Sequence, residues 1–96
     1  MSWTTEHGAQ YEVPEAVLTL VREGLAIDDS WHNDSCPRFR NEAREVSFWV
    51  EHPDPNRRET DGPRFLVMFD EDYPFYSVVW TDELSEAVAA FRLFVS

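Results

Sequence analysis

Glu45-Val46-Ser47-Phe48-Trp49-Val50-Glu51-His52 is the stretch that decides the fold. Val46, Phe48 and Val50 alternate with Ser47, Trp49 and Glu51. That is the period of two that a half-buried strand requires. One face of the strand is apolar, and the other mixes a hydroxyl, an indole and an acid. The sheet it belongs to must therefore be covered on one side and open on the other, with Trp49 on the open side.

The neighbours of this strand read the same way. Residues 53–63 carry Pro53, Pro55, Pro63 and Gly62 among polar residues and predict a long loop. Arg64–Phe69 is a continuous apolar run, predicting a central strand. Asp70-Glu71-Asp72-Tyr73-Pro74 predicts a tight acidic turn. Phe75–Trp80 is β-branched and aromatic, a further strand that leaves Trp80 half exposed on the open face. Upstream, a short strand is expected at 36–41.

Two helices bracket the strands. Over 14–23, Pro14 suits the first helical position and Glu15 the positive end of the helix dipole. Val17, Leu20 and Val21 form the buried stripe. Gly24 suits the left-handed position past the end, with Leu25 closing over it. Over 82–94, Thr81 or Asp82 caps the helix, and Leu84, Ala87, Val88 and Phe91 face inward. Residues 25–35 lack periodicity and are crowded with Asp, Asn and Ser, which marks turns. Ile27 and Trp31 are expected to plug into the core. Residues 1–12 read as a polar arm anchored by Trp3 and Tyr11, ahead of a single domain over 13–96. The expected fold is α+β: an antiparallel meander of three to four strands, with an N-terminal and a C-terminal helix packed on one face.

The shell around that core is strongly acidic. The 96 residues include 19 acids, eight Arg and no Lys, a formal net charge of −11. Residues 1–35 hold seven acids and one Arg, residues 36–64 hold six of each, and residues 65–96 hold six acids and one Arg. A phosphate backbone or an anionic membrane would repel this surface, so direct binding to nucleic acid or lipid is not expected. The first residues lack the basic and apolar regions of a signal peptide, and the single Cys36 cannot form an internal disulfide. The expected location is the cytoplasm.

Catalytic signals are sparse. His32 and Cys36 lie four apart, a spacing that could pair a thiolate with a base. Pro37 and the turn formers oppose a helix there, and no glycine-rich oxyanion loop accompanies them. Four zinc ligands at short paired spacings are absent, and Gly8, Gly24 and Gly62 do not form a phosphate loop. No metal or cofactor is expected. Arg38 and Arg40 share one face of a strand and are expected to pair with Glu42, Glu45 or Glu51.

The acid is the feature folding explains least. It gathers as Asp28, Asp29 and Asp34, as Asp70, Glu71 and Asp72, and as Asp82, Glu83 and Glu86. A charge of −11 exceeds the magnitude of roughly 2–8 that solubility asks of a small domain. In size, acidity and lack of a catalytic motif, the chain resembles the small inhibitors of phages and mobile elements, among them anti-CRISPR proteins and nucleic-acid mimics. The resemblance covers composition alone and carries no site residues. It implies a non-enzymatic inhibitor whose carboxylates occupy a basic, nucleic-acid-handling protein. The expected contacts are Asp28, Asp29, Asp70, Glu71, Asp72, Asp82, Glu83 and Glu86, with Trp49 and Trp80 as anchors. The alternatives are an accessory protein that binds through its exposed aromatics, and a small Cys36/His32 enzyme.

Overall fold

The computed structural model describes residues 2–71 and 78–96. Five strands, β1 (Ile27–Asp28), β2 (Arg38–Asn41), β3 (Val46–Val50), β4 (Phe65–Phe69) and β5 (Val78–Thr81), pair in sequence order, every pair antiparallel. The helices are α1 (Trp3–Glu6), α2 (Glu15–Arg22) and α3 (Leu84–Val95). This is the α+β meander the alternation predicts, with one strand more: the two-residue β1 arises inside the turn-rich stretch, where no period could announce it.

The inner face is the apolar set of the deciding stretch. Val46, Phe48 and Val50 are fully buried, as are Phe39 and Val67 beside them. Helix α3 crosses β3, β4 and β5, setting Phe91 against Phe48 with ring centroids 5.9 Å apart and stacking Phe94 on Phe69 at 5.0 Å. Helix α2 lies beside α3 and adds Val17 and Leu20 to the same core. Each large side chain so buried contributes about 1.5–3 kcal/mol.

Helix ends follow local chemistry. Pro14 is the residue just before α2 rather than its first turn. Past the other end, Gly24 has φ +78° and donates to the Val21 carbonyl, while Leu25 donates to that of Leu20. That is the Schellman arrangement, which needs a left-handed residue. Neither Thr81 nor Asp82 caps α3: the N-cap is Glu83, with no side-chain cap, while the Thr81 hydroxyl accepts from Glu83 N at 2.9 Å and Asp82 turns away to the loop before β4.

The arm over residues 2–12 is tied down through Trp3 and Tyr11: Trp3 N donates to the Asp28 carboxylate at 2.8 Å, the Tyr11 hydroxyl donates to the Ser35 carbonyl, and Arg64 donates to the carbonyls of Tyr11 and Glu12. Two core expectations are corrected. Ile27 and Trp31 do not plug into the core, each being 45 % exposed. Ser30 does so instead, fully buried, with its hydroxyl accepting from Arg38 N at 3.1 Å. The β-strand register explains the swap, because pairing Asp28 with Phe39 turns Ile27 outward beside Arg40.

Candidate functional site

The outer face of the sheet is built from the residues that alternate with the core set. Register aligns them in two rows running across the strands. One row is Arg38, Trp49, Leu66 and Trp80; the other is Arg40, Ser47, Met68 and Val78. Among the described residues no helix covers them. Asp70, two residues beyond Met68, falls on the same face.

The second row ends in a closed polar cluster. Asp70 accepts from Arg40 Nε at 2.7 Å and from Arg38 Nη2 at 3.2 Å, and the buried Ser47 hydroxyl donates to its other oxygen. Arg38 also donates through Nε to Ser47 at 2.9 Å and reaches Asp29 at 3.5 Å. Partial burial alone would raise the Asp70 pKa. The hydrogen bonds from Arg40 and Ser47, with the charges of Arg38 and Arg40, outweigh it and hold the carboxyl below the usual range. The two Arg thus pair with Asp70 and Asp29, not with Glu42, Glu45 or Glu51. Asp70 lies thirty residues downstream of Arg40, beyond the reach of a local spacing rule.

The first row forms a groove. Trp49 and Trp80 stand on β3 and β5 with Leu66 between them on β4, so two strand spacings, about 10 Å, separate their backbones. The floor is Leu66 and Met68. Ser35, Cys36, Glu51, Glu59 and Thr60 complete a lining around some 350 Å³ of space. The Arg38 guanidinium lies over the Trp49 indole, 5.0 Å from its centroid, and is itself fixed by Asp29 and Asp70. The Trp80 Nε1–H donates to the Pro63 carbonyl at 2.9 Å, and its ring lies flat against Gly62.

The loop that supplies Glu59, Thr60 and Gly62 is tied from within. Arg58, nearly buried, donates to the carbonyls of His52, Pro53 and Gly62 at 2.7, 3.2 and 3.1 Å and reaches Asp82 at 3.4 Å. Glu59 N donates to the Glu51 carboxylate. Burial pushes the Cys36 thiol well up, and the charge of Glu51 adds to the effect. Burial likewise raises Tyr11, again with Glu51 contributing.

The expected contact residues divide accordingly. Trp49 and Trp80 come together in the groove, Trp80 being 48 % exposed. Asp28 holds Trp3 N and Ser30 N, Asp29 and Asp70 hold Arg38, and Asp82 holds Arg64 N at 2.9 Å and Arg58. Glu71, Glu83 and Glu86 are exposed, and Asp72 lies outside the described residues. The acids do not share one face. Asp28 and Asp29 sit at the β1 edge, while Asp82, Glu83 and Glu86 follow β5 at the opposite edge. His32 is held by Glu6, and Cys36 is buried with no hydrogen bond to His32, so neither is poised on the other. Among the described residues no group of three His, Cys, Asp or Glu could hold a metal, and no helix is long and apolar enough to cross a membrane.

Leu66, Met68, Glu51, Glu59 and Gly62 were not singled out from the sequence as site residues. The continuous apolar run over 64–69 left open which of its residues face outward, and the register is what places Leu66 and Met68 on the face of Trp49, Leu66 lying between the two indoles. Comparison of the chain with family models, curated proteins and solved structures finds no match.

Proposed function

We propose that this protein is a non-enzymatic interaction module that engages a basic protein surface with the open face of its sheet, acting as an inhibitor or accessory factor in the cytoplasm. The observation that carries this reading is the groove between Trp49 and Trp80, an aromatic slot that none of the described residues covers. Magnitudes favour the groove over the scattered acids as the anchor. Covering the exposed half of one indole removes about 100 Å² from water, worth about 2.5 kcal/mol. An exposed ion pair contributes roughly 0.2–1 kcal/mol. The net charge of −11 then acts at long range, speeding encounter with a cationic partner and excluding anionic ones. A partner that handles nucleic acid fits that charge.

This reading alters the carboxylate-mimic expectation. Asp28, Asp29, Asp70 and Asp82 support the fold, and of the other expected contacts Glu83 and Glu86 are exposed and not part of the groove lining. The test is capture of partner proteins by immobilised wild type, Trp80→Ser and the Glu83→Gln/Glu86→Gln pair at 50 and 500 mM salt. Loss of basic partners in Trp80→Ser, with the amide pair retaining them, is the expected result. Retention in Trp80→Ser with loss in the amide pair would overturn the groove as anchor and return the role to the acids.

A further inference from the structure

The groove has a chemistry narrower than apolar contact. Its walls are two indoles, its floor is Leu66 and Met68, and one end carries Glu51 and Glu59. Neither carboxylate has a cationic partner among the described residues. The protein's own cations are engaged elsewhere: Arg22, Arg38, Arg40, Arg57, Arg58 and Arg92 pair with other acids, and Arg64 with main-chain carbonyls. Arg44 sits in the β2–β3 turn, at the far end of that hairpin from Glu51. An apolar slot that ends in two unmatched carboxylates is complementary to a side chain with an apolar stem and a positive head.

We infer that the groove takes one arginine side chain of the partner, its stem over Leu66 and Met68, its guanidinium between the indoles and directed at Glu51 and Glu59. This rests on the docking reading above and names what that face recognises. Arginine fits better than lysine for three reasons. Its guanidinium is planar and stacks on aromatic faces, it is more weakly hydrated than an ammonium, and its fork matches a carboxylate. The same molecule shows the stacking twice, with Arg38 over Trp49 at 5.0 Å and Arg64 over Phe65 at 5.1 Å. Arg38 does not repel the guest, because Asp29 and Asp70 already match it. Among the described residues Glu51 has no cation of its own to match it; burial is the main reason the Cys36 and Tyr11 pKa values are raised, and the charge of Glu51 adds to both.

The experiment titrates the full chain with butylguanidinium, with butylammonium and with the neutral shape analogue butylurea, following the indole Nε1–H resonances of Trp49 and Trp80. Butylguanidinium is expected to move both resonances and to bind at least fivefold more tightly than butylurea. Glu59→Gln, whose side chain is exposed and supports nothing in the fold, should reduce that preference at least twofold. Equal binding of butylurea, or binding by neither, removes the arginine assignment. Tighter binding of butylammonium than butylguanidinium removes it in favour of lysine. Loss of protein capture in Trp80→Ser with no guanidinium preference would sink this inference and leave the docking face standing. A guanidinium preference with capture intact in Trp80→Ser would sink the docking face and, with it, the assignment of the guest to a docked partner, leaving only a guanidinium-binding groove.

Discussion

The Trp80 ring rests on the Cα of Gly62 so closely that a Cβ there would lie 1.9 Å from Cζ2. The contact joins the loop after β3 to β5 and sets the angle of one groove wall. It is tightened by the Trp80 Nε1–H bond to the Pro63 carbonyl.

Gly62→Ala should therefore act on both stability and the groove. Either the indole swings away or the loop lifts, at a cost of about 1–3 kcal/mol, as for other overpacked sites. Urea denaturation reads the stability, and a shift of the Trp80 indole resonance reads the wall. An unchanged resonance would show that the loop, not the ring, gives way.

Gly24→Ala tests a different use of glycine. No atom lies within 4 Å of the added Cβ, so the whole penalty comes from φ +78°. It should be about 1–2 kcal/mol. Gly24→Asn should recover much of it, because Asn tolerates the left-handed region. Paired thermal melts of the two variants check the order.

Asp70→Asn should cost about 2 kcal/mol at neutral pH, since two guanidinium groups lose a charged acceptor. The sign with pH follows from the depressed pKa of Asp70. A carboxyl held below its unfolded value stabilises the fold fully above the ordinary Asp range and loses that effect as pH falls through the depressed value. The gap between wild type and variant should hold from pH 7 to about 5, begin to narrow below about pH 4, and vanish as pH falls through the depressed value. Denaturant midpoints along that series measure it, and a gap that does not narrow at all below about pH 4 would contradict the assignment.

Cys36 should be inert. Its thiol is 2 % exposed and its pKa is raised by burial and by Glu51. Alkylation by iodoacetamide at pH 7.5 should run at least about 100-fold slower than for an exposed cysteine and accelerate only as the chain unfolds. Rapid labelling of the native protein would reopen the Cys36/His32 reading.

The pattern of legibility has physical causes. Alternation at 45–52 exposed β3, the sidedness of the sheet and the outward Trp49, because a period of two survives in the sequence whatever the strand packs against. Gly24 was readable because one backbone conformation demands it. Partners distant in the chain were not: Arg40 with Asp70, Trp3 with Asp28 and Arg58 with Asp82 depend on which strands become neighbours. The site divides along the same line. The two indoles came from local pattern, whereas Glu51, Glu59 and Gly62 acquire their roles only when the loop folds back over β5.

One consequence follows from the position of α3. Every described strand pairs with its predecessor, so the sheet can zip up in the order in which the ribosome delivers it, yet the helix that shields Phe48 and Val67 follows all five strands. Until Leu84–Val95 has been delivered, the nascent chain presents a bare apolar sheet face to the crowded cell, the state in which chaperones and aggregation compete for it. Deletion of Leu84–Val95 should thus yield aggregated protein rather than a weakened but soluble one.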